Sequence, residues 1–303
     1  MKTLSLGLAL AFAVGISAQA QQSLKDMSSA EQNDWTPDSG VSRSAGGQRA
    51  QILSAFFGLD NSRRIRRAGL RFCGRPSGTD GMPLVFSHEL DIATIEAGDI
   101  EITLRSGKKG SVNCVSLAPA IEPGELRTLL LIGDFGSAEA NPPIRVKVIG
   151  NLHAADGSVN FRGASVEVIP LVTGPALVFA ENVARTDWQF RPVSTGRGMS
   201  DAFCPQEGLQ NILRVVWDGG VELASGEEIG PEHAGLYRVT IETSDGSVRT
   251  VRPFAIGNLG DGDNNHELCL NTEGRPVSVA FPAGHLVDPN HDVNANTSVA
   301  VQR

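Results

Sequence analysis

Tyrosine occurs once and tryptophan three times in 303 residues, and aromatic residues make up 5% of the chain. So thin a supply argues against a broad stacking platform. It leaves the surroundings of Trp188 as the place for a carbohydrate, while Trp217, inside Ile212-Leu-Arg-Val-Val-Trp217, reads as core. Basic charge is also short: 26 Lys and Arg face 34 Asp and Glu, a net charge of −8. Nucleic acid and anionic lipid both demand a basic footprint, so neither is expected as a partner. Cysteine occurs four times and never in a Cys-x-x-Cys spacing, which argues against a structural zinc site. Gly-x-Ser-x-Gly, His-Glu-x-x-His, the Walker loop and the dinucleotide fingerprint are all missing. Serine hydrolase, zinc protease and nucleotide chemistry therefore find no motif.

The first twenty residues carry an address. Lys2 supplies a positive start, Leu4 to Ile16 are apolar, and Ala18-Gln19-Ala20 is a small-x-small cleavage site before Gln21. This pattern is that of a secretory signal peptide over 1–20. The apolar run is shorter than the roughly 20 residues a spanning helix needs, and none follows it. A secreted or periplasmic location without a membrane span is expected, in a compartment where disulfides persist. Residues 21–50 are rich in Ser, Gly, Gln and Asp and read as a flexible tail, with a short helix over Ser23–Asn33 the only structure allowed for.

From Gln51 onward the signals are β. Ile144–Val148 and Tyr237–Thr243 alternate apolar and polar residues, while Leu126–Ile132 and Ala176–Phe179 are continuous apolar runs. Gly-containing turns recur at short intervals, which suits sandwiches. The breaker Thr173-Gly174-Pro175 divides the chain into 51–172 and 173–303, with two cysteines on each side. Three disulfide connectivities are possible, and the simplest joins Cys73 to Cys114 and Cys204 to Cys269. The expected fold is all-β: two immunoglobulin-like β-sandwich domains, each with one disulfide. Asp245-Gly246 predicts a two-residue hairpin turn that sets Glu242 opposite Arg249 and Tyr237 opposite Phe254.

Residues 51–172 carry an opening strand at Ile52-Leu-Ser-Ala55, a strand ending in Phe-Ser at Pro83–Ser87, and an Asp-x-x-Thr turn within Leu90–Ile95. Gly98-Asp-Ile-Glu-Ile102 follows, and Ile144–Val148 with Asn151-Leu152 and Asp156-Gly157 closes the pattern. This stretch resembles the bacterial immunoglobulin-like domain of S-layer proteins of the SbsA type. The resemblance implies a sandwich used as a spacer or binding module and carries over no catalytic residue. The Cys73–Cys114 pairing and the arginine cluster depart from the family's usual pattern.

Three groups of residues invite chemistry. Asp261, Asp263, Asn265 and Glu267 place oxygens at every second position of a Gly-rich turn, as a calcium loop requires. His266 and Thr272 stand where an EF-hand needs Gly and Glu, so the EF-hand rule itself fails. Asp288, Asn290 and Asp292 repeat the alternation, and the two runs together suggest a shared calcium site. Either run alone also reads as a polar turn bonded to its own backbone. His266, His285 and His291 fall in the same region and, with Glu267, Asp288 and Asp292, offer an acid/base or metal site. Arg63, Arg64, Arg66 and Arg67 offer forked donors to an anion, or simply a solvated basic stretch. The leading expectation is an exported, non-catalytic binding or structural protein, calcium-stabilised, with an extracellular carbohydrate or protein as ligand. The alternative is a secreted hydrolase or lyase built around His266, His285 and His291.

Overall fold

The computed structural model describes residues 50–191 and 202–302. The expected signal peptide over 1–20 and the expected tail up to residue 49 lie outside the described residues. The described residues form a nearly all-β fold, with 40% of them in strands.

Seven strands build the first half: β1 (Ile52–Ala55), β2 (Asp80–Phe86), β3 (Ile100–Leu104), β4 (Lys109–Ser116), β5 (Thr128–Asp134), β6 (Pro143–Val148) and β7 (Ser165–Glu167). They pair antiparallel in the order β1-β2-β5-β4-β3-β6-β7. The first strand then meets the chain just after the last, through Phe57 N–H to the Ile169 carbonyl at 3.0 Å and Ile169 N–H to the Ala55 carbonyl at 2.8 Å. The all-β, sandwich-like arrangement that was expected is present, with the seven strands paired in one continuous sheet whose two ends meet across these bonds. Closure leaves little exposed edge. The enclosed core includes Met82, Leu84, Phe86, Ile102, Leu131 and Phe161, with Phe86 and Phe161 edge to face at 4.9 Å. The expected Asp-x-x-Thr turn is a 3-10 turn in which Asp91 accepts from Ala93 N–H at 3.0 Å and Thr94 Oγ1 donates to the Asp91 carbonyl at 2.9 Å.

The one α-helix among the described residues, α1 (Arg63–Phe72), lies on this sheet. Ser62 caps it, accepting from Arg64 N–H at 3.1 Å. Its buried face is narrow, with Ile65 and Gly69 the fully buried residues. Ile65 presses on Gly81, where a Cβ would come within 2.3 Å of the Ile65 Cδ1. The Cys73–Cys114 disulfide ties the helix end to β4.

The second half holds β8 (Leu177–Asn182), β9 (Asn211–Trp217), β10 (Arg238–Glu242), β11 (Val248–Val251), β12 (Ala255–Gly257), β13 (Asn265–Leu270), β14 (Arg275–Phe281) and β15 (Thr297–Ala300). They form two four-stranded sheets, β12-β13-β9-β8 and β11-β10-β14-β15. Trp217, Tyr237, Phe281, Leu213 and Leu268 fill the space between them. The second disulfide joins Cys204 to Cys269 on β13, so both expected pairings are present.

The expected hairpin forms, but in a register shifted by one residue. Ile241 faces Arg249 and Glu242 faces Val248, around the three-residue loop Ser244–Gly246 with Gly246 at φ 80°. Side chains choose this loop: the Asp245 carboxylate accepts from Ser247 N–H at 3.0 Å and from Thr243 Oγ1 at 2.5 Å. Glu242 pairs instead with Arg275 on β14. Tyr237 is wholly buried, whereas Phe254 stands on the surface.

Candidate functional site at the junction of the two sandwiches

Strand alternation explains how charge comes to be buried here. On β9, Leu213, Val215 and Trp217 enter the second core, so Arg214 and Val216 point to the other face. On β13, Leu268 and Leu270 point inward and Glu267 outward. That outer face is covered by the first sandwich rather than by water. Val216 and Phe179 meet Val85 of β2, all three fully or almost fully buried. Burial of such side chains contributes about 1.5–3 kcal/mol each.

Around this apolar contact runs a ladder of charges. Arg214 donates to Glu267 Oε1 and to Glu181 Oε1, both at 3.0 Å. Arg127, on the first sandwich, donates to both oxygens of Glu181 at 3.1 and 3.2 Å and lies over the Phe179 ring at 3.9 Å. Arg214 also donates to the Gly124 carbonyl at 3.2 Å. Gly124 adopts φ 94°, and a Cβ there would sit 2.1 Å from Arg214 Nη1, so only glycine allows this approach. Burial works against the charged guanidinium of Arg214, yet Glu267 and Glu181 outweigh it and raise its pKa. Burial wins at Arg127 and lowers its pKa despite Glu181. Burial likewise lifts the Glu267 carboxyl against the pull of Arg214. Guanidinium stays protonated in either case, so both arginines keep their charge inside the junction.

Beside the ladder, four acids from the two sandwiches converge. Glu122 and Glu125 come from the turn Glu122-Pro-Gly-Glu125, which precedes β5; Asp261 and Asp263 come from the turn that precedes β13. Oxygens of Glu122, Glu125 and Asp261 lie within 4.8 Å of one another. Glu125 is 2% exposed. One of its oxygens accepts from Asn258 Nδ2 across the junction; the other, Oε2, is buried without a hydrogen-bond donor. Burial first, then Asp263, push the Glu125 pKa well up, with Arg214 opposing. Asp263 rises to about 8, from burial and from Asp261. Its oxygens accept from Asn265 N–H at 2.6 Å and Asn265 Nδ2 at 2.9 Å. Two further hydrogen bonds cross the junction, Asn264 Nδ2 to Thr128 Oγ1 at 3.1 Å and Asn290 Nδ2 to the Gly58 carbonyl. Next to them is a half-open cavity of about 160 Å³, lined by Phe56, Leu59, Ile65, Pro83 and Leu130, with Asp263 at its polar side.

The residues expected to form one calcium site are thus dispersed. Asp261 and Asp263 enter the acidic junction, Asn265 holds Asp263, and Glu267 is committed to Arg214. Asp288 is fully buried and serves its own loop: one oxygen accepts from Asn290 N–H and Asp292 N–H, each at 2.9 Å. The histidines do not meet either. His266 lies inside the core, with Nδ1 2.7 Å from the Tyr237 hydroxyl, which accepts from Trp217 Nε1 at 3.1 Å. Burial brings His266 down to about 4, so it is neutral and completes a core hydrogen-bond chain. His285 and His291 are exposed in loops. Among the described residues, no metal-competent group of His, Cys, Asp and Glu includes a histidine. Arg63, Arg64, Arg66 and Arg67 stand exposed on α1, where Arg64 approaches Glu222 at 3.8 Å. Trp188 is half-buried and donates to the Val183 carbonyl at 3.1 Å, which turns its ring toward the protein.

Glu122 and Glu125 were missed from the sequence. Their one local signal is the acidic Pro-Gly turn. That it faces Asp261 is a long-range fact, since the Glu125–Asn258 bond alone spans 133 residues.

No family model matches this sequence, and no curated protein matches it. Among solved structures, the N-terminal part of the bacterial S-layer protein SbsC aligns at 14% identity with a TM-score of 0.28, covering 85% of this chain and 45% of that one. A longer SbsC structure aligns at 14% identity with a TM-score of 0.29, covering 85% of this chain and 26% of that one. The chain spans less than half the length of either, and the link to S-layer proteins is weak.

Proposed function

We propose that the protein is an exported, non-catalytic structural module of the cell exterior or envelope, in which two sandwiches act as one rigid body. The observation that carries this reading is the junction: it buries an arginine–carboxylate ladder that spans both halves, a construction suited to fixing orientation. Breaking such a buried pair costs far more than separating a wet contact. Two disulfides and the signal-peptide pattern support export. Among the described residues no helix is long and apolar enough to cross a membrane. The histidines that an enzyme would need are apart, one of them locked in the core.

Cell fractionation with mass analysis of the native protein tests the export reading. The expected result is an extracytoplasmic chain beginning at Gln21; a full-length cytoplasmic chain would overturn it. Screening the purified protein against ester, glycoside and phosphate substrates tests the rest. Turnover that disappears in a folded His285→Ala or His291→Ala variant would restore the enzyme reading.

A further inference from the structure

We propose that Glu122, Glu125 and Asp261 hold a calcium ion that ties the first sandwich to the second. Three carboxylates from two separate turns supply oxygens that all lie within 4.8 Å of one another. Calcium binds oxygens at about 2.3–2.6 Å, so ligands on opposite sides of the ion stand about 5 Å apart, and the group fits around one ion. An all-oxygen donor set suits a hard cation and not zinc or copper. Magnesium demands a tighter octahedron and keeps more of its own water.

A second observation points the same way. Glu125 is almost completely buried, and its Oε2 has no hydrogen-bond donor. A buried carboxylate oxygen left unmatched costs free energy, so it calls for a cation or a proton. The proton is the rival occupant, shared between Glu125 and Asp263. Arg214 is the fixed positive charge acting on Glu125, and its guanidinium is already shared between Glu267 and Glu181. A divalent ion would offset the negative charge of this group and join the Glu122-Pro-Gly-Glu125 turn to the Asp261 turn. The other acidic run cannot serve in this way, because Asp288 is filled by its own backbone donors.

Isothermal titration of the chelator-stripped mature protein with calcium chloride, together with thermal melts, tests the site. One ion per chain is expected. At a hundred times Kd, calcium should raise Tm by roughly 5–10 °C. Asp261→Asn and Glu122→Gln should each weaken calcium binding by about tenfold or more, since affinity follows ligand charge. Asp292→Asn, in the other run, should leave it unchanged. Glu125→Gln risks misfolding, so half-buried Asp261 carries the test. Absence of both binding heat and melting shift at millimolar calcium would overturn the site in favour of the shared proton. Wild-type affinity in Asp261→Asn and Glu122→Gln, or an equal response to sodium chloride, would overturn it too. The scaffold role would survive that failure, because calorimetry in EDTA reads the coupling of the sandwiches directly.

Discussion

Two acidic runs with the same spelling meet different fates. Asp261–Glu267 and Asp288–Asp292 both place oxygens at alternate positions, and each begins in a Gly- or Pro-containing loop. The second run turns on itself, and Asp288 is satisfied within four residues. The first run faces a neighbouring sandwich that brings two more acids and leaves one Glu125 oxygen without a donor. The lesson is that ligand spacing counts oxygens, whereas a site depends on how many of those oxygens already have donors.

Substitutions can break that contrast, and the largest effect should come from the junction. Arg214→Met leaves Glu267 and the Gly124 carbonyl without this donor, and Glu181 with Arg127 alone. A loss of about 3–5 kcal/mol in chemical denaturation is expected, because the remaining charges are buried. Adding Glu267→Leu should recover part of it; no recovery would show that the pair is not the source.

Asp218 should give the next largest effect. It is buried; one oxygen accepts from Ala176 N–H at 3.0 Å and the other has no donor. Burial, with some help from Asp288, raises its pKa from 3.8 to about 7. The folded protein therefore holds a proton that the unfolded chain releases at about pH 4. This contribution to stability is full below pH 4 and is lost as pH rises through 7. Each tenfold difference in proton affinity between the folded and unfolded chain is worth about 1.4 kcal/mol. Asp218→Asn should therefore flatten that decline and stabilise the protein at pH 8 by a few kcal/mol. An equal gain at pH 4 and pH 8 would contradict the assignment.

Asp288→Ala should cost about 1–3 kcal/mol by urea melt, since two partly buried backbone donors lose their acceptor. Asp261→Asn in EDTA should cost nothing or stabilise slightly, by removing a like charge from the junction. If the two variants behaved alike, the contrast between the runs would fail.

The smallest effect belongs to α1. Arg63, Arg67 and Arg71 repeat at four-residue spacing on its exposed face, where like charges repel. Arg67→Glu should stabilise by a few tenths of a kcal/mol, about the size of an exposed helical pair. A loss would mean that the arginine is held by a contact outside the helix.

Much of the fold was legible in the chain. Alternation marks β6 and β10, the apolar runs mark β5 and β8, and cysteine spacing suggests the pairing that forms. The α1 helix is readable too, from Ser62 as cap and Ile65, Ala68, Gly69 and Phe72 at helical spacing, but its arginines point to charge instead. His266 reads with the polar turn before it, although His266, Leu268 and Leu270 alternate into one core. The hairpin register slips because Thr243, Asp245 and Ser247 bond one another across a three-residue loop. The acidic junction is out of reach, since it joins turns more than 130 residues apart. Only packing one sandwich on the other brings them together.

Differential scanning calorimetry of the mature protein in EDTA tests the rigid junction most directly. A single cooperative transition, split into two by Arg214→Met, is the predicted result. Two transitions in the unaltered protein would show that the sandwiches unfold independently and would contradict it.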